Sequence, residues 1–181
     1  MKSIDNLIIA AALMAFAGCA STPTVHSKGD TAAQVNSSQS FALLPVAVDS
    51  SVSPAAAPTV AQAAQNGARD TLRALGYTET SRESADLVFY LHGKCLAPVE
   101  VAKWNYVPET SKLGLKPNRM TAYANHMVVV EGYDNHSKQQ VWMGWINCNC
   151  HVMEPEQIQH EIQRIVATFP PRNQSMNLSA R

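Results

Sequence analysis

Residues 121–133, TAYANHMVVVEGY, and residues 140–148, QVWMGWINC, decide the fold. Both runs are rich in β-branched and aromatic residues, and the turn-forming stretch Asp134-Asn135-His136-Ser137-Lys138 lies between them. Two such runs around a short polar stretch predict a β-hairpin. Upstream, Asp86 to Cys95 predicts another strand, because Leu87, Phe89 and Leu91 alternate with Val88, Tyr90 and His92. Laid antiparallel to the first arm of the hairpin, this strand runs parallel to the second. Phe41 to Val48 predicts a further strand, in which Pro45 marks an edge position or a break. Trp142 and Trp145 fall on opposite faces of their strand, so one is expected in the core and the other on a helix or an exposed face.

The helical period appears twice. Val60, Ala63, Ala64, Gly67, Ala68, Thr71, Leu72 and Leu75 share one face of a predicted helix. Thr59 with Gln62 after Pro58 offers a capping box at its start, and Gly76 offers a stop. The small residues on that face predict close packing on a sheet. Pro155 suits the first turn of a second helix, with Ile158, Ile162, Ile165, Val166 and Phe169 as its buried stripe and Pro170-Pro171 as its end. These elements predict an α+β two-layer sandwich: a mostly antiparallel sheet of about four strands with both helices on one face. Residues from Pro98 to Met120 keep no period and include Pro108, Gly114 and Pro117. A loop of that length in a small domain is uncommon and often functional. Within it, Trp104 and Tyr106 are candidate partner-binding anchors, or else fold back to cover the open sheet face.

The N-terminus carries a different signal. Leu7 to Ala17 is an unbroken apolar run of eleven residues, preceded by Lys2 and followed by Gly18-Cys19. It is too short to span a bilayer and has the length of a secretory signal's hydrophobic region. Phe16-Ala17-Gly18-Cys19 resembles the lipobox of bacterial lipoproteins, with Phe16 where Leu is more usual. The resemblance implies cleavage before Cys19 and acylation of that residue; an ordinary signal peptide, or an apolar helix that happens to hold a cysteine, is the alternative. The organisation expected is a signal peptide over 1–18, a lipidated cysteine and flexible tether over 19–40, a folded domain over 41–171 and a polar tail over 172–181.

Cleavage would leave 163 residues with 13 basic and 13 acidic side chains. A neutral chain lacks the basic footprint of a nucleic-acid binder and the polybasic cluster that holds anionic lipid. Membrane attachment is therefore expected from acyl chains, and three of them would be effectively permanent. Ala20 is not the aspartate that resembles an inner-membrane retention signal, so the outer membrane is the expected site, with the domain facing the periplasm.

Several landmarks resemble one family. Phe41-Ala42-Leu43-Leu44-Pro45, Ala74-Leu75-Gly76-Tyr77 and Ala85-Asp86-Leu87-Val88 are followed by the Tyr133-Asp134 hairpin, Val141-Trp142, Gly144 and Phe169-Pro170-Pro171. Their order and spacing are similar to the domain of unknown function 4136 family of small Gram-negative envelope lipoproteins, over roughly residues 41 to 171. The cysteines and the Pro98 to Met120 insertion depart from that pattern. The resemblance implies a compact α+β domain on a lipid anchor, with no assigned catalytic residues.

Beyond Cys19, three cysteines remain: Cys95, Cys148 and Cys150. In an oxidising compartment one disulfide is expected, from Cys95 to Cys148 or Cys150. With one strand between them, regular geometry would hold Cys95 and Cys148 about 9.6 Å apart, so irregular backbone must close the gap. The alternative is a periplasmic metal or thiol protein, in which His92, Cys95, Cys148, Cys150 and His151 offer sulfur and imidazole to zinc or copper. Against it stands the absence of any Cys-x-x-Cys pair. No nucleophile elbow, zinc-protease helix, phosphate loop or dinucleotide fingerprint occurs. Glu100, Glu109, Glu131 and Asp134 include no pair that the sequence places across a cleft. The function expected is a non-enzymatic, cofactor-free envelope protein that binds or scaffolds a protein partner.

Overall fold

The computed structural model describes residues 23–29, 35, 37–93, 96–97, 105–106, 127–147 and 154–172. In chain order the elements are β1 (Val25–Gly29), β2 (Ser40–Leu43), β3 (Ala47–Val48), α1 (Ala57–Ala74), β4 (Thr78–Glu79), β5 (Leu87–Gly93), β6 (Leu96–Ala97), β7 (Met127–Asp134), β8 (Gln140–Asn147) and α2 (Pro155–Val166). The hairpin is β7 and β8, antiparallel from Met127 opposite Asn147 to Tyr133 opposite Gln140, with a register shift at Gly132 and Tyr133. Residues 121–126, expected in its first arm, lie outside the described residues.

The class is α+β, but the sheet differs from the one expected. Its main path holds six strands in the order β1-β8-β7-β5-β2-β4, and β3 and β6 pair beside it. It is mixed rather than mostly antiparallel: β2 runs parallel to both β4 and β5. The cause is α1. A strand–helix–strand path carries the chain back to the end of the sheet where the first strand began, which makes the two strands parallel. Side-chain alternation carries no information about direction. The expected first strand also breaks at Pro45, into β2 and β3.

β1 is the second departure. Val25–Gly29, inside the segment expected to be a flexible tether, pairs antiparallel with β8 from Val25 opposite Ile146 to Gly29 opposite Trp142. Most of its side chains are exposed, so it has little apolar signal to detect. What holds it is the row of backbone donors and acceptors along the open edge of β8. Val35, in the same expected tether, is buried at 2 % exposure.

α1 buries Val60, Ala63, Ala64, Gly67, Ala68 and Leu72, the face its period predicts. Its start differs: Ala56 is the N-cap with no side-chain cap, so Thr59 and Gln62 form no box. The box occurs on α2 instead, where Glu154 and Gln157 bond reciprocally ahead of Ile158. Both helices lie against one side of the sheet, where Leu72, Ile162 and Ile165 share a core with Phe89, Val130 and Trp142. The Phe169 ring meets Phe89 at 5.1 Å and Trp142 at 5.2 Å, edge to face in both cases.

On α1, Gly67 serves the other helix rather than the sheet. A Cβ at Gly67 would come within 2.6 Å of the Gln159 carbonyl oxygen of α2. On the sheet, a Cβ at Gly144 would come within 2.6 Å of Ile165 Cγ2. Two absent side chains thus let α2 sit deep between α1 and β8. Gly67→Ala should cost about 1–3 kcal/mol despite the better helix propensity of alanine, because the Gln159 backbone must move. Thermal melting should fall by several degrees, whereas an unchanged or raised Tm would show that α2 is not seated this tightly.

Candidate functional site: a buried carboxylate under the second sheet face

Strand alternation sends Leu87, Phe89 and Leu91 towards the helices and Val88, Tyr90 and His92 to the opposite face. All seven residues of β5 are buried, so that opposite face is covered too. Ala42, Leu44, Ala85, Val88, Tyr90, Tyr106 and Tyr133 form a second, smaller apolar cluster there. Inside it sits a polar group. Glu131 is 2 % exposed and His92 6 %.

The register explains how they meet. Tyr90 lies opposite Glu131 and His92 opposite Val129, so His92 and Glu131 are diagonal neighbours on one face. His92 Nε2 stands 3.3 Å from Glu131 Oε1, too poorly aligned to count as a hydrogen bond for either atom. Tyr133 donates its hydroxyl to Glu131 Oε2 in a short hydrogen bond. The rings of Tyr90 and His92 stack at 4.8 Å and 9°. Burial pushes the Glu131 carboxyl up, but the His92 imidazole and the Tyr133 hydroxyl together hold it below the usual carboxylate range. Burial first, and then the Glu131 charge, push the Tyr133 phenol upward.

A second polar knot closes the end of this face. Asn135 donates to the carbonyls of Arg82 and Ala85 at 2.7 and 2.8 Å. Its side-chain oxygen accepts from the Tyr106 hydroxyl and from Lys138 Nζ, both at 2.6 Å. Nearby, Asp86 accepts from the backbone N–H of Gln39 and Ser40 and from the Ser40 hydroxyl, at 2.8–3.0 Å. Burial raises the Asp86 carboxyl, and these donors, with His136, outweigh it and leave it lowered.

The expected site residues divide sharply. His92 is in the buried cluster. Tyr106 is 2 % exposed, and its ring lies 5.2 Å from that of Tyr133, so it covers the sheet and presents no free anchor. Cys19, Cys95, Trp104, Cys148, Cys150 and His151 lie outside the described residues, and the expected disulfide and metal set lie there with them. Among the described residues, no group of three or more His, Cys, Asp or Glu side chains could hold a metal ion. From the sequence, Glu131 stands only as a carboxylate with no partner across a cleft, and neither Tyr133 nor Asn135 is singled out as a site residue. The available signal was a glutamate and a tyrosine two residues apart in an otherwise apolar strand.

Chemically the cluster keeps a carboxylate ionised inside the fold. A buried polar group held from both strands penalises any slip of β5 against β7, since slippage would part Glu131 from His92.

A scan against protein-family models finds no match, and a search of the curated proteins finds none. Similar solved structures include a DUF4136 family protein from Bacteroides thetaiotaomicron, at 14 % identity and a TM-score of 0.46, covering 87 % of this chain and 95 % of that one. A PelC dodecamer from Paraburkholderia phytofirmans is similar at 15 % identity and a TM-score of 0.47, covering 84 % of this chain and all of the other. The first carries the family label that the sequence landmarks resemble. Likenesses this distant carry no function across.

Tyr133→Phe leaves Glu131 Oε2 without its donor and should cost about 1–3 kcal/mol in chemical denaturation; a neutral result would remove the cluster's structural role. The pH response has a definite sign. Glu131 and Asp86 are both lowered in the folded state, so the unfolded chain binds protons first as the solution is acidified. Their stabilisation is fully present above the unfolded carboxylate range of about 4, and is lost as pH falls through their folded values. Tm should hold between neutral pH and about pH 5 and drop below about pH 4, and Glu131→Gln should flatten that drop.

Proposed function

We propose that this chain is a lipid-anchored envelope protein with a non-enzymatic binding or scaffolding role at the outer membrane, its domain facing the periplasm. The observation that carries the reading is the apolar run from Leu7 to Ala17 closing in Gly18-Cys19. The described fold is compatible with an anchor there. Pro23 stands four residues after Cys19, and Arg164 of α2 donates to its carbonyl at 2.6 Å. The domain is thus tied to the chain directly behind the anchor. Among the described residues no helix is long and apolar enough to cross a membrane, so attachment through those residues would not be by a spanning helix.

Expression of the full chain with its own N-terminus tests the proposal. The wild type should fractionate with the outer membrane, and its N-terminal peptide should begin at Cys19 and carry acyl mass. Cys19→Ser should release the protein into the periplasmic fraction. A Cys19→Ser protein that stays with the membrane, or an N-terminus processed elsewhere, would overturn the anchor. Crosslinking in intact cells then tests the binding role, with recovery of one specific envelope protein as the expected result.

A further inference from the structure

On the side of the sheet away from the helices, the cover is uneven. Over β5 and β7 it is complete, with Val88, Tyr90 and Tyr133 between 0 and 4 % exposed. Over β8 and β1 it opens. His26 lies opposite Trp145 and Lys28 opposite Met143, on the face that Trp142, Gly144 and Ile146 do not share. His26 and Lys28 are exposed, and Met143 and Trp145 are half-buried. The His26 and Trp145 rings stack at 5.4 Å and 19°, so each ring covers one face of the other.

We propose that this β1–β8 face rests on the phospholipid surface to which Cys19 is anchored. The inference deepens the anchored reading and rests on it. Three features of the chain select the bilayer as the occupant. The first is reach: Cys19 and His26 are seven residues apart, which at full extension is about 25 Å. Because residues 25–29 are strand and not coil, the domain has no long leash. The second is chemistry. An indole, a thioether, an imidazole and a lysine form an amphipathic set suited to the boundary between head groups and acyl chains. The third is the competing surface. The outer side of α2 presents Glu156, Gln157 and His160 to solvent, with Glu154 and Glu156 at its start. Carboxylates are repelled by anionic head groups, whereas Lys28 is drawn to them.

The test uses the full lipidated chain in vesicles of phosphatidylethanolamine and phosphatidylglycerol, with and without lipids brominated near the head of the acyl chain. The chain has three tryptophans, so the readout is the difference between wild type and Trp145→Phe. The Trp145 component should lose about half its emission in brominated vesicles, as expected for an indole at the interface. Trp145→Phe should abolish that component while still floating with the vesicles and melting as wild type does. Lys28→Glu, an exposed change that leaves both rings in place, should reduce the quenching without releasing the protein. A wild-type chain that floats but whose Trp145 emission ignores the bromines would overturn the proposal and leave the anchor standing. A chain that carries no acyl groups and does not float would overturn both.

Discussion

Every residue of β5 is buried, and this two-sided burial is the constraint on which the remaining structure depends. A strand with one wet face needs one covering layer, but β5 needs two. Its Leu87, Phe89 and Leu91 face is closed by α1 and α2, which share a core with it. Its Val88, Tyr90 and His92 face is closed by a smaller cluster into which Tyr106 folds. Its edges are equally occupied, by antiparallel β7 and parallel β2. Depth on the helix side is set by Gly67 and Gly144, where any Cβ would meet α2.

The same constraint accounts for the charge at the centre. A carboxylate beneath a complete apolar cover has no water to solvate it, so its partners must come from the fold. Tyr133, two residues along the same strand, provides a hydroxyl, and His92 provides an adjacent imidazole that arrives through strand register. At the end of the face the buried Asn135 and the partly exposed Asp86 tie β2, the residues just ahead of β5, Tyr106 and the hairpin turn together. Where the cover ends, over β8 and β1, the composition changes from tyrosine and valine to tryptophan, methionine, histidine and lysine.

Periodicity was legible. The α1 stripe from Val60 to Leu72, the α2 stripe from Ile158 to Val166 and the alternation of β5 are properties of single segments, because spacing alone decides which side chains share a face. Tyr106 was legible only as a choice between an anchor and a cover, and the tertiary contact with Asn135 and Tyr133 decides for the cover. The capping of α1 was misread because a box needs both local residue types and a chain that enters at that residue, and here it enters earlier, at Ala56.

By itself the sequence determined the helix faces, the hairpin and the apolar approach to Cys19, all of them local patterns in side-chain polarity. Tertiary structure alone decided the parallel pairing of β2, the addition of β1 and the meeting of His92 with Glu131. Each of these joins residues far apart in the chain. Strand direction and edge pairing are written in backbone hydrogen bonds, which every residue can make, proline as acceptor only, so no residue type announces them. A diagonal pair of side chains exists only once two strands have settled into register.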